Sequence, residues 1–185
     1  MSKLKYLKKI KNPKIFKLNN FEDFRGKLKR IFCINELSKK NLNFTVKQIN
    51  HVIVKKKGTI KGMHIQLPPY SEIKLVKIIK GKIFDVIIDL RKNSKSFLKY
   101  KSFILDSSKD NLLFIPKGFA HGFQTLTSNS EIIYCHSEVY NPKKEFSINP
   151  LDKKINIKWP KKMSSISLKD LNTKFIYDDF DGIVI

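Results

Sequence analysis

Two apolar, β-branched runs, Glu72 to Ile79 and Ile83 to Leu90, stand on either side of Lys80-Gly81-Lys82. Runs of this length and composition, bounded by a glycine turn, are strand material. The short break with its central Gly predicts a β-hairpin. Each run also carries a charge within it, Lys74 in the first and Asp85 in the second. A charge inside an apolar strand either faces solvent or lines a cavity.

The same signature continues through most of the chain. Phe44 to Asn50 alternates as a strand does, and His51 to Val54 extends it. Phe97 to Leu105 predicts another strand, Asp106 to Asn111 a polar connection, and Leu112 to Ile115 a short apolar lead into Pro116-Lys117-Gly118-Phe119-Ala120-His121. Gly122 to Leu126 and Glu131 to Tyr140 complete the strand set. In the last run Tyr134, His136, Glu138 and Tyr140 share one face by parity, and Ile133 and Cys135 share the other. Before these strands, Met1 to Asn20 fits a frayed helix or an edge strand, Asp23 to Gly26 a turn, and Ser38 to Asn43 a loop. After them, Asn149 to Pro160 is irregular, and Ser167 is placed to cap a short helix through Leu171. Many short strands with few helical periods predict an all-β fold, an antiparallel jelly-roll barrel with short peripheral helices. At 185 residues the expectation is a single domain, with residues 1–20 a basic arm and 161–185 a segment packed beside the barrel.

Charge decides less than its size implies. The 38 basic and 16 acidic residues leave a net charge of +22, which raises the question of nucleic acid or an anionic membrane. Only three of the basic residues are Arg, however (Arg25, Arg30 and Arg91), and the lysines are scattered throughout. Surfaces that grip phosphate and read bases favour the bidentate guanidinium. The expectation is no nucleic-acid or membrane partner, and a positive field suited to a small polyanion. Cys33 and Cys135 give neither a disulfide framework nor metal spacing and read as small core residues. Lysines interrupt any secretory segment, and no apolar run is long enough to span a bilayer, so a cytoplasmic location is expected.

The chemistry-bearing spacings are G-x5-H from Gly58 to His64, x6-G from Lys74 to Gly81, and P-x-G-x-x-H from Pro116 to His121. This frame resembles the two motifs of the cupin barrel, in which the first motif carries a second His and a Glu as metal ligands. Here those positions are Gln66 and Lys74. An amide is a poor ligand for a transition ion and an ammonium is none. The resemblance therefore implies a cupin without a metal site, and a metal-dependent cupin oxygenase is disfavoured. A base, an ammonium and a second imidazole stand in its place, which is a set for moving protons.

Taken together, Gln48-Ile49-Asn50, Gly62 to Gln66, Lys74-Leu75-Val76, Gly81 through Val86, Gly118 to Phe123, Tyr134 to Pro142, Glu145, Trp159-Pro160 and Ser167 to Asp170 resemble the dTDP-4-dehydrorhamnose 3,5-epimerase family. The resemblance runs from about Phe21 to about Leu171. It implies removal and return of protons at C3 and C5 of a 4-keto sugar, with no metal or cofactor. Such a reaction needs a base, an oxyanion stabiliser and an acid facing the base. By resemblance His64 is the base, Asp170 orients its imidazole, Lys74 stabilises the enolate and Tyr134 is the opposing acid. Asp85 and His121 complete the polar wall. Ser167 to Asp170 also reads as a helix-start capping pair.

Arg25, Gln48, Asn50, Lys61, His121, Tyr140, Glu145 and Lys169 form the substrate-binding set that the family implies, with Tyr140 also reading as packing around the site. The family further implies a homodimer in which an N-terminal arm reaches the partner's site, so that Arg25 acts in trans. Two positions depart from the family: Lys61 replaces an Arg that grips diphosphate, and Arg30 replaces a Glu. His51 and His136 lie in no motif and read as structural or exposed. Two alternatives stay open: an epimerase acting at one carbon or on another nucleotide's sugar, and a non-catalytic sugar-nucleotide-binding cupin.

Overall fold

A computed structural model describes residues 11–42 and 45–185, and twelve strands run through them. These are β1 (Lys14–Lys17), β2 (Asn20–Asp23), β3 (Gly26–Lys29), β4 (Gln48–Val54), β5 (Ile60–Gln66), β6 (Lys74–Lys80), β7 (Lys82–Asp89), β8 (Tyr100–Asp106), β9 (Asn111–Ile115), β10 (Phe119–Thr125), β11 (Ser130–His136) and β12 (Glu145–Ser147). The helices are α1 (Ile34–Lys39), α2 (Leu168–Leu171) and a single 3₁₀ turn, Pro142–Lys144. One five-stranded sheet has the order β1-β9-β6-β11-β4 and the other β12-β5-β10-β7-β8. Every pairing within them is antiparallel. The hairpin β2–β3 stands apart, with Asp23 to Gly26 as its turn.

The runs that flank Gly81 do form strands, but not a hairpin. β6 pairs with β9 and β11 in the first sheet, and β7 with β8 and β10 in the second. Gly81 is the corner between the sheets. Its φ of +82° is open to Gly, and a Cβ there would meet Thr127 Oγ1 at 2.4 Å and Ser130 Oγ at 2.7 Å. From β4 to β12 the chain changes sheet at every step except β7 to β8. This alternation builds the jelly roll.

Parity then sorts the apolar residues into three layers. Val76, Ile78, Ile83, Ile87, Leu113, Ile115, Phe119, Phe123 and Ile132 pack between the sheets. Met63, Ile65, Val86, Ile88 and Ala120 point out of the second sheet and are covered by Ile148, Ile155, Ile157 and Ile183 from the C-terminal third. Leu75, Leu112, Phe114 and Cys135 point out of the first sheet and are covered by Phe16, Leu37 and Leu42. Both sheets are thus buried on both faces over their centres, which is why the strands at Glu72 to Leu90 read as continuous apolar runs.

Several local expectations shift. The expected loop at Ser38 begins as α1, because Leu37 inserts into the cover of the first sheet. The strand expected at Phe97 begins at Tyr100, after turns at Ser94 and Ser96. The strand expected to reach Tyr140 stops at His136, and the next residues form a separate loop, so parity no longer orders Glu138 and Tyr140. Residues 1–10 and 43–44, within the expected N-terminal arm and the start of the expected Phe44 strand, lie outside the described residues. The described part of the N-terminal region is an edge strand, β1. Cys135 is buried as expected and Cys33 is half-buried.

Candidate active site

Polar side chains take over from apolar ones in the inward-facing rows of five strands near one end of the sandwich. Along β6 the row runs Ile78, Val76, Lys74; along β11 it runs Ile132, Tyr134, His136; along β10 it runs Phe123, His121. On β5 the row is Ile60, Gly62, His64, Gln66, and on β4 it is Val54, Val52, Asn50, Gln48. The polar ends of these rows line one cavity of about 180 Å³, together with Lys61, Glu72, Tyr140 and Glu145. The second sheet contributes His64 and His121, and the first contributes Lys74, Tyr134, His136, Asn50 and Gln48.

Within the second sheet, β5 and β10 approach through tight backbone. Gly62 (φ +117°) leaves no room for a side chain: a Cβ would meet Gly122 Cα at 2.5 Å. This close antiparallel pairing of β5 and β10 sets His64 opposite His121 in register. The Gly62 N–H also donates to Asp170 Oδ2 at 3.2 Å. Asp170 sits in α2, where its own N–H donates to the capping Ser167 Oγ at 3.0 Å, and its other oxygen meets His64 Nε2 at 2.7 Å. Burial alone would raise the Asp170 carboxyl, but the hydrogen bond and charge of His64, with the Gly62 N–H and Ser167, hold it below the usual range. It is ionised, buried and hidden behind the imidazole. Glu145 Oε1 lies 3.6 Å from the other ring nitrogen of His64. Tyr140 donates to Glu145 Oε2 at 2.8 Å, and Lys169 pairs with the same oxygen.

His121 has a similar backing, with Nε2 2.8 Å from Asp85 Oδ2. Asp85 is fully buried, its Oδ1 has no partner among the described residues, and burial raises its carboxyl. It stands behind the wall and does not line the cavity, unlike its expected place in the wall itself. The Tyr134 ring lies edge-on between His121 (5.7 Å) and His136 (6.0 Å). Burial, and then the charge of Asp85, push its phenol well above the ordinary tyrosine range. Lys74 Nζ is 3.1 Å from Glu72 Oε1.

A model of the dTDP-4-dehydrorhamnose 3,5-epimerases matches residues 8–178. The chain belongs to that family. It is 41% identical over 125 residues to the 3,5-epimerase of Shigella flexneri, covering 67% of this chain and 69% of that protein. A Bacillus anthracis dTDP-4-dehydrorhamnose 3,5-epimerase crystallised with TDP and PPi superposes with a TM-score of 0.84 at 32% identity, covering 89% of this chain and 94% of that one. A Legionella pneumophila epimerase in complex with dTDP-4-keto-L-rhamnose gives the same TM-score at 32% identity, covering 90% and 88%. The fold is the cupin-like jelly roll of these epimerases.

Of the expected residues, His64, Lys74, Tyr134, His121, Gln48, Asn50, Lys61, Tyr140 and Glu145 converge on the cavity. Asp170, Asp85 and Lys169 stand behind or beside them. Arg25 does not reach the cavity of its own chain: it sits at the β2–β3 tip, exposed and paired with Asp23 at 2.6 Å. Gln66 lines the cavity but is occupied structurally, accepting from Asn141 N–H at 2.6 Å and donating to the carbonyls of Tyr70 and Val139. The amide thereby pins the loop that presents Tyr140. His51 is exposed beside Glu131, as expected. His136 is not: it lines the cavity and is hydrogen-bonded to Glu72, a residue the motifs never pointed to. Both lie two residues from a motif residue, Lys74 or Tyr134, and the period of two was the available signal.

Proposed function

We propose that this epimerase inverts C3 and C5 of dTDP-4-dehydro-6-deoxy-D-glucose, giving dTDP-4-dehydro-L-rhamnose. The observation that carries the reading is the opposition of His64, backed by Asp170, on one sheet to Lys74 and Tyr134 on the other. The carbonyl at C4 acidifies the neighbouring C–H bonds. His64 takes the proton, the C–H electron pair moves into the enolate, and the Lys74 ammonium stands against the oxygen that becomes negative. Tyr134 then delivers its phenolic proton to the same carbon from the other face, which inverts it. Because burial and Asp85 hold Tyr134 firmly protonated, its proton goes to a strong base such as an enolate. The imidazolium and the tyrosinate are restored by exchange with water. Gln48, Asn50, Lys61, Tyr140, Glu145 and Lys169 hold the sugar and the nucleotide diphosphate around this axis.

The reading includes a homodimer in which the β2–β3 hairpin reaches a neighbouring site and Arg25 meets the substrate there. Its support is the hairpin's surface: Phe24 is 98% exposed at the tip beside Arg25, and Phe21 and Leu28 are exposed as well. It also includes a cytoplasmic location, supported by the nucleotide-activated substrate. No described helix is long and apolar enough to cross a membrane.

Proton NMR in heavy water, with dTDP-4-keto-6-deoxyglucose and purified protein, tests the reaction. Deuterium entering at both C3 and C5 is the expected result. Exchange at one carbon would replace the reading with a narrower epimerase. No exchange would direct attention to other nucleotide sugars and then to a binding role.

A further inference from the structure

The hydrogen bonds along the first sheet's cavity wall all run in one direction. Gln48 Oε1 accepts from the backbone N–H of Tyr140 at 2.9 Å, and a backbone N–H can only donate. That fixes the Gln48 amide, whose Nε2 donates to Asn50 Oδ1 at 3.1 Å. Asn50 Nδ2 is thereby turned toward His136 Nε2 at 3.3 Å. An amide NH₂ needs an acceptor, so the His136 ring proton resides on Nδ1. Nδ1 lies 2.7 Å from Glu72 Oε2, and the other Glu72 oxygen holds Lys74 Nζ. Burial works to raise the Glu72 carboxyl, yet His136 and Lys74 bring it below the usual range, so the chain ends on an ionised acceptor. The strands that carry it are adjacent, and His136 is in register with Gln48 on one side and Lys74 on the other.

We propose that Glu72 and His136 are positioning residues for the epimerisation, fixing the Lys74 ammonium and the Gln48 and Asn50 amides in one arrangement across the cavity. The role of Lys74 in this statement rests on the epimerase reading; the polarity of the chain does not. A lysine has a flexible four-carbon stem and three donors. Tied to Glu72 by one donor, it keeps two for an enolate oxygen and loses the freedom to swing away. His136 in turn holds Glu72 to one orientation. A proton added at His136 Nε2 would face the Asn50 NH₂, donor against donor. Flipping Asn50 would set its NH₂ against Gln48 Nε2, and flipping Gln48 would set NH₂ against the Tyr140 N–H, where no further adjustment exists. The backbone end of the chain therefore determines the tautomer at its far end, and recognition amides and oxyanion stabiliser are set as a unit.

The first test needs no substrate. Long-range nitrogen-15 to proton correlation spectra of histidine-labelled protein, assigned with His136→Phe, read the His136 tautomer near neutral pH. The neutral Nδ1–H form is expected. The Nε2–H form, or a doubly protonated ring, would overturn the chain's polarity. Asn50→Asp puts an acceptor on each side of the ring and should convert it to the doubly protonated form; an unchanged ring would also count against the proposal. In kinetics, Glu72→Gln should lower kcat by about tenfold to hundredfold, the size of one hydrogen bond to a charged group, with a smaller change in KM. His136→Gln, which can still donate to Glu72, should keep more of kcat than His136→Phe. A kcat that stays at the wild-type value in Glu72→Gln overturns the positioning role. If that variant does not fold, the wild-type tautomer decides. If the wild-type protein exchanges no substrate proton at all, the epimerase reading fails while the spectrum still judges the chain.

Discussion

The two walls of the cavity use the same kinds of residue in opposite ways. On the second sheet the imidazoles of His64 and His121 face the cavity and their carboxylates, Asp170 and Asp85, are sealed behind them. On the first sheet the carboxylate, Glu72, lies in the wall itself and is shared between His136 and Lys74. A carboxylate behind an imidazole fixes its tautomer and stabilises the cation it becomes on taking a proton. A carboxylate between two donors in the wall anchors a cation that is already there. In the proposed mechanism one wall acquires positive charge during the reaction, and the other keeps it in place.

The largest effect should come from removing the residue that changes charge. His64→Ala is expected to lower deuterium entry at both carbons by about a thousandfold, within the range for general base catalysis, while isothermal titration shows dTDP binding nearly unchanged. Turnover retained in that variant would assign the base elsewhere. On the opposite wall Tyr134→Phe should leave proton removal largely in place but slow inversion, by about a hundredfold. The check is the ratio of deuterium wash-in to epimer formed, which should rise in Tyr134→Phe and stay level in His64→Ala. An equal loss of both rates in Tyr134→Phe would make Tyr134 a packing residue.

Much of this contrast could be read from the residues, and the part that could not has a definite cause. Parity groups Tyr134 with His136, the charges inside apolar strands mark Lys74 and Asp85 as facing either solvent or a cavity, and the motif spacing picks out His64 and His121. Strand partners are another matter. A glycine between two β-branched runs produces the same local signal whether the chain folds back on its own sheet or turns a corner into the next. At Gly81 the corner is enforced by Thr127 and Ser130, more than forty residues away. The buried place of Asp85 behind His121 follows from the β7–β10 register, also a long-range fact. Glu72 and His136 lie two residues from Lys74 and Tyr134, so the period of two marks their face, but their meeting depends on the β6–β11 register, again a long-range fact. Arg25 lies on a hairpin whose destination a single chain does not contain.

The pH dependence sharpens the comparison on its acid side. With its phenol pushed well above the ordinary value, by burial first and by the Asp85 charge second, Tyr134 keeps its proton as pH rises through the normal tyrosine range near about 10. The kcat profile should therefore show no alkaline fall from loss of the acid up to about pH 10. An alkaline limb in the wild-type inversion rate that is absent from the residual activity of Tyr134→Phe would contradict this.

The smallest effect concerns what holds the base wall's sheet. Asp89, at the end of β7, is buried and accepts from Arg91 Nη2 at 2.7 Å and from the hydroxyls of Ser94 and Ser96 at 2.6 Å each. The Arg91 guanidinium lies 4.3 Å from the ring centre of Phe119, the first residue of the strand that carries His121. Burial works to raise the Asp89 carboxyl, but Arg91, Ser94 and Ser96 bring it down to about 2. A depressed carboxylate contributes stability that is fully present above its unfolded value and is lost as pH falls through its folded one. The shift corresponds to roughly 2 kcal/mol. Asp89→Asn should thus lower the free energy of unfolding by about that amount near neutral pH, read from urea midpoints. The gap to wild type should narrow below about pH 4 and close near about pH 2. Because the clamp supports β10 and not β6 or β11, the variant should disturb the His121 resonances before those of His136. A gap that stays constant down to about pH 2 would mean that Asp89 acts through packing, and an equal disturbance at both histidines would mean that the two walls are not supported separately.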